Sequence, residues 1–179
     1  MINPLNIDMT TLYNGAKEIV EKYKQELHNQ RVDATGALRN SVDFDFDFDE
    51  NDITLYFIAN SYWYYVEKGR KPDGSGVGPS WTTWERDLTN WINRKIARGW
   101  WIPKQNQTIP KTAKELKSVS YLIRRKIKNE GWYTDRDDRG LHILEKVLKD
   151  AEASGLIDKM VNSVVQGFDN EINVEFEKL

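Results

Sequence analysis

An α+β fold, with several helices packed against a small antiparallel sheet, is what the sequence predicts, and three observations predict it. Apolar residues recur at three- and four-residue spacing along several long stretches. Two adjoining stretches alternate apolar with polar residues instead, and a third such alternation falls at 171–177. Three- and four-residue spacing lines one face of a helix, whereas period two lines one face of a strand. The expected sheet is therefore a hairpin over 42–60 plus a strand over 171–177. The order helix, hairpin, helices, strand places the helices on one face of that sheet.

The first helix is expected from about Thr10 to Gln30. Leu12, Ala16, Ile19, Val20, Tyr23 and Leu27 form its apolar stripe, and Asp8 or Thr10 caps it. Residues 33–41 make a short connection with room for a helical turn. Val42, Phe44, Phe46 and Phe48 then alternate with Asp43, Asp45, Asp47 and Asp49, giving a strand with an aromatic face and an acidic wet face. A turn over 49–52 leads into Ile53, Leu55, Phe57 and Ala59, the second strand of the hairpin.

Tyr62 to Lys68 reads as a dense aromatic helical turn ended by Gly69. The glycines and prolines between Arg70 and Pro79 make an exposed loop. Trp81 to Ile96 is a second long helix closed by Gly99, and Trp100 to Pro110 is a polar loop. Thr112 caps a third helix reaching Glu130, with Gly131 after it, and 135–140 is a charged loop. Helical spacing resumes at Leu141 and runs to about Phe168, with a break near Ser154-Gly155. The whole reads as one domain over 1–179 with an inserted helical and loop region at about 70–140.

Composition narrows the function. The chain has 179 residues, 39% hydrophobic and 30% charged, a soluble globular balance able to fold without staples. No apolar run approaches a membrane span, and residues 1–10 lack the layout of a signal peptide. With no cysteine there is no disulfide and no thiolate chemistry, which fits a reducing cytoplasm. The net charge of −2 conceals a pattern: residues 1–80 balance to −5, 81–131 to +8 and 132–179 to −5. A basic middle between acidic flanks suits nucleic acid, packing between copies, or a solvated helix surface.

No constellation for catalysis stands out. The Asp43, Asp45, Asp47 and Asp49 ladder offers oxygens, but alternate strand residues stand about 7 Å apart, too far to close a tight calcium shell. His28 and His142 stand alone, and no Gly-x-Ser-x-Gly occurs. Glu67, among tyrosines, reads as a helix-end carboxylate that fixes Arg70 or Lys71 rather than as a general acid. The 69–78 loop lacks the Gly-Lys-Ser/Thr of a phosphate-binding loop and reads as a docking loop. Trp84 and Trp91, seven apart, suit packing; Trp100 and Trp101 divide between core and interface. No catalytic residue, cofactor or metal ligand is expected.

Four segments in order carry a resemblance. They are Thr35-Gly36-Ala37-Leu38-Arg39-Asn40-Ser41; Tyr62 to Gly69 with Tyr65-Val66-Glu67; Gly76-Val77-Gly78-Pro79 with Trp91-Ile92; and Leu122-Ile123-Arg124-Arg125-Lys126-Ile127 with Gly131. In this order, over roughly 10–135, the chain resembles the head–tail joining, or tail-completion, proteins of tailed bacteriophages, also called neck or minor tail proteins. Residues 133–140 lack the Pro-Phe-Leu type segment common in that family.

The resemblance implies a structural, non-enzymatic virion protein, assembled in the host bacterial cytoplasm. It implies a six- or twelve-fold homo-oligomeric ring between portal or adaptor and tail, around a channel that carries genomic DNA, with no membrane partner. The residues expected at ring contacts are Asp43, Asp45, Asp47, Glu67, Arg70, Lys71, Arg94, Arg98, Trp100, Trp101, Arg124, Arg125 and Lys126. Head-to-tail rings need two different, complementary patches on each copy, and the acidic strand against the basic 94–128 region supplies such a pair. The competing expectation is a nucleic-acid-binding module using the basic 81–131 region.

Overall fold

The computed structural model describes residues 7–49, 52–60, 62–69, 81–103, 108–131 and 141–176, with side chains described for all but 62, 81 and 168–176. The element order is α1 (Met9–Asn29), α2 (Ala37–Ser41), β1 (Asp43–Asp49), β2 (Asp52–Ile58), α3 (Tyr62–Lys68), α4 (Trp81–Ala97), α5 (Ala113–Glu130), α6 (Ile143–Ala153) and α7 (Leu156–Phe176). The class is α+β: among the described residues, seven helices accompany one two-stranded antiparallel sheet. None of these helices is long and apolar enough to cross a membrane. The chain divides into two compact units. The first comprises 1–26, 42–58 and 143–179, and the second 27–41 and 59–142.

In the first unit, Asp8 caps α1. Its Oδ1 accepts the amides of Thr10 and Thr11 at 3.0 and 3.3 Å, and its other oxygen accepts the Thr11 hydroxyl. These bonds hold the Asp8 carboxyl below its ordinary range, the Thr11 hydroxyl contributing most. Leu12, Ala16, Ile19, Val20 and Tyr23 are buried, as the stripe requires. Gly15 lies on the same side: a β-carbon there would sit 2.4 Å from Met160 Sδ and 2.6 Å from Met160 Cγ, so the missing side chain lets α7 approach α1. Ser163 Oγ donates to the Asp8 carbonyl at 3.4 Å across the same packing.

The hairpin register pairs Phe44 with Phe57, Phe46 with Leu55 and Phe48 with Ile53 on one face. Asp43, Asp45, Asp47 and Asp49 fall opposite Ile58, Tyr56, Thr54 and Asp52 on the other. The apolar face is half-buried and the acidic face exposed. Tyr13 of α1 meets Phe44 edge-on at 5.0 Å, and Phe44, Phe46 and Phe48 continue as a row of ring contacts. An isolated two-stranded ribbon is marginal in water, so this row of aromatic packing supplies what further strands would otherwise provide.

The expected strand over 171–177 is corrected: residues 171–176 belong to α7. The alternation of Ile172, Val174 and Phe176 is real, but no proline separates it from the helix before it, and the single Gly167 is carried inside α7 rather than ending it. Once a helix exists, each further residue adds a hydrogen bond without a new nucleation cost, and a three-residue alternation does not outweigh that. The break at Ser154-Gly155 is present: α6 stops at Ala153 and α7 begins at Leu156, with Gly155 at φ 70°.

In the second unit, α4 and α5 pack on each other. Glu85 pairs with Lys117 at 3.2 Å, and the hydroxyls of Thr89 and fully buried Ser120 meet at 3.2 Å. Both contacts advance in the same direction along the two helices, so α4 and α5 run parallel. A capping box starts α5: Thr112 Oγ1 accepts the Glu115 amide at 3.2 Å, and the Glu115 carboxylate accepts the Thr112 amide at 3.0 Å. Gly131 ends it, its amide donating to the Ile127 carbonyl at 3.0 Å.

Candidate functional site

The Thr35–Ser41 segment is explained residue by residue in the second unit. Thr35 Oγ1 accepts the Ala37 amide at 3.2 Å and so starts α2. Gly36 has φ 80°, a left-handed value that penalises any β-carbon. Leu38 is 1% exposed. Ser41 Oγ donates to the Leu38 carbonyl at 2.8 Å and accepts the Asn60 amide at 3.0 Å, tying the end of α2 to the chain that leaves the hairpin. These are folding roles, so the motif builds the scaffold rather than a reactive centre. Ser41→Ala removes both bonds and leaves the Asn60 amide without this acceptor. The expected loss is about 1–2 kcal/mol in urea unfolding.

Asp33, ahead of this segment, is 4% exposed. Burial pushes its carboxyl pKa up, while the amides of Arg39 and Leu38 and the guanidinium of Arg39 pull it back. The Arg39 Nε stands 3.8 Å from Asp33 Oδ2. Nothing in the sequence marked Asp33 for this position, because an aspartate before a Thr-Gly turn is ordinarily a solvated cap.

Two charged surfaces emerge. The first is the exposed row Asp43, Asp45, Asp47 and Asp49 on β1. Asp43 and Asp45 each use one oxygen to accept the following amide at 2.9 Å, which fixes their orientation along the strand. Among the described residues no group of three or more His, Asp or Glu side chains is placed to hold a metal ion.

The second surface follows from the parallel packing of α4 and α5. Arg94, Lys95 and Arg98 belong to the C-terminal end of α4, and Arg124, Arg125, Lys126 and Lys128 to that of α5. Parallel alignment brings these two ends to the same side of the pair. Cations there are favoured by both helix dipoles. Arg94, Arg98, Arg125 and Lys126 are exposed, and Arg124 is half-buried. Lys126 forms an exposed ion pair with Glu130 at 3.9 Å, a weak restraint.

Trp100 and Trp101 are both half-buried. Trp100 packs edge-on against His28 at 4.9 Å and takes the Arg98 guanidinium at 5.0 Å from its ring centroid. Trp101 lines an open groove of about 620 Å³ with Pro110, Val119, Leu122 and Ile123, rimmed by Lys114 and Lys126. Glu67 is 3% exposed, and the amides of Leu141 and His142 donate to the carbonyls of Val66 and Glu67 at 2.9 and 3.4 Å. Arg70 and Lys71, the expected partners of Glu67, lie outside the described residues, as do the loops expected at 70–79 and 135–140.

The structure thus gathers Arg94 and Arg98 with Arg124, Arg125 and Lys126, and places Asp43, Asp45 and Asp47 together on a separate surface of the first unit. Sequence reasoning missed Arg31, which joins Lys95, Arg98 and Trp100 at the end of α4. No glycine stands at 30–32 to announce the left-handed turn, so nothing local marked Arg31. No family model, no curated protein and no solved structure matches the chain.

Proposed function

We propose that the chain is a structural, non-enzymatic subunit of a tailed-phage virion that assembles head-to-tail into a ring at the head–tail junction. The ring would dock between portal or adaptor and tail and leave a channel for DNA. The observation that carries this reading is the pairing of two exposed, oppositely charged surfaces on each copy. One is the aspartate face of β1, and the other is the joint basic end of α4 and α5. One surface alone would give a two-fold contact at most by matching itself, and like charges forbid that here. Two complementary surfaces generate heterologous contacts, which close into rings when the rotation per copy allows. The order of the four family-like segments supports the same reading and names the setting.

The experiment is the mass of the purified chain by sedimentation velocity across a salt series. At about 0.15 M salt a multi-copy species is expected, and it should dissociate at about 1 M, where the screening length falls to roughly 3 Å. A species of one copy at every salt concentration would count against charge-driven ring closure.

A further inference from the structure

We propose that Arg31, Lys95 and Arg98 form a contact for the phosphodiester backbone of a nucleic acid. This goes beyond the ring reading: Lys95 and Arg98 share the basic end of α4 with it, but that reading is tested at Arg124 and Arg125.

The first observation is a comparison within the molecule. Helix α4 ends with the Gly99 amide bonded to the Ile96 carbonyl at 3.0 Å and the Trp100 amide to the Lys95 carbonyl at 2.8 Å, with Gly99 at φ 66°. Helix α1 ends in the same way: the Arg31 amide bonds the His28 carbonyl at 2.9 Å, and the Val32 amide bonds the Leu27 carbonyl at 3.4 Å. Here, however, the left-handed residue is Arg31, at φ 55°. This position ordinarily takes glycine, because a β-carbon is penalised there. An arginine kept at such a position points to use of its side chain.

The second observation is the company it keeps. Lys95 is half-buried, with Nζ 4.4 Å from the Trp91 ring centroid. Burial lowers its ammonium pKa, and the positive charge of Arg31 lowers it further, so the two cations are close enough to repel. Among the described residues no ion pair joins either of them to a carboxylate. Arg98 is held by the Trp100 ring and by the Asp33 carbonyl at 3.3 Å, neither of which neutralises its charge. The Asp33 carboxylate is buried, and it stands in an ion pair with Arg39 at 3.8 Å.

Attraction to the α4 dipole accounts for Lys95 and Arg98. It accounts neither for Arg31 in a glycine conformation nor for a half-buried lysine facing an arginine. Repelling cations gathered around a single buried carboxylate, Asp33, which Arg98 must share with Arg39, fit a ligand that brings several permanent negative charges at short intervals. A phosphodiester chain does so, and arginine's planar fork suits its oxygens.

The test is fluorescence anisotropy of a labelled mixed-sequence DNA duplex of roughly 20 base pairs with the full chain, between about 50 and 200 mM salt. Two or three phosphate contacts predict a log–log salt slope of about −2 to −3. Arg31→Gly is expected to keep or raise the melting temperature, since glycine relieves the left-handed strain. It should nonetheless weaken DNA binding about five- to tenfold at the lowest salt and reduce the slope by about one. Lys95→Gln should shift binding in the same direction. Salt-independent or undetectable binding by the unmodified chain would overturn the proposal, as would Arg31→Gly binding with unchanged affinity and slope. Loss of self-association on Arg31→Gly with DNA binding intact would assign the cluster to a second copy and equally overturn it. Ring assembly is tested separately at Arg124 and Arg125, so either proposal can fail alone.

Discussion

Reversing Arg124 and Arg125 to glutamate is expected to leave the chain folded and to abolish its assembly at physiological salt. Both residues lie near the end of α5 that adjoins the basic end of α4. Reversal sets two negative charges against the β1 aspartates where the account places attraction, and like-charge juxtaposition at an interface costs several kcal/mol. Arg125 is exposed, so Arg125→Glu alone should weaken assembly with no change in melting temperature. The complementary variant, Asp45→Lys with Asp47→Lys, should fail to assemble by itself for the same reason. An equimolar mixture of the two double variants should assemble again. Each reversed surface then meets a reversed partner, and an alternating ring of even order closes. Sedimentation of the three samples decides it: a mixture that stays monomeric would show that these surfaces do not meet.

Leu38→Ala is expected to cost the fold about 2–5 kcal/mol, the usual range for emptying a buried leucine site. Leu38 is among the largest fully buried side chains and sits inside the short α2, which has only five residues over which to spread the loss. For a chain of this size that corresponds to a fall in melting temperature of roughly 5–15 °C. Calorimetry of the single variant checks it. A change under about 2 °C would mean that the Thr-Gly-x-Leu-x-x-Ser segment does not hold the second unit together in the way described.

The parts of this molecule that the sequence made legible are those set by local chemistry. The Phe44/Phe46/Phe48 alternation fixed both the strand and its face, because a one-residue slip would have turned every ring into water. Thr112 and Glu115 announced the start of α5 because their spacing matches a reciprocal cap. Gly99 and Gly131 announced helix ends. The strand expected at 171–177 failed because period two was read without asking what would stop the preceding helix. The parallel course of α4 and α5 was not legible either, since a connection from 98 to 112 is long enough to return the chain in either direction. The basic end they share is therefore a product of packing. Arg31 was hidden for a related reason: it occupies a glycine position, so composition gave no sign that α1 ends there in a left-handed turn. Asp33 read only as part of the 33–41 connection, because its burial is a product of tertiary packing.

The structural reading meets its most direct test in electron microscopy of purified virions from the genome that encodes this chain, combined with protein identification in the same particles. The account predicts the chain in those particles, as a closed ring between head and tail. Particles with complete necks and tails but without this chain would contradict it.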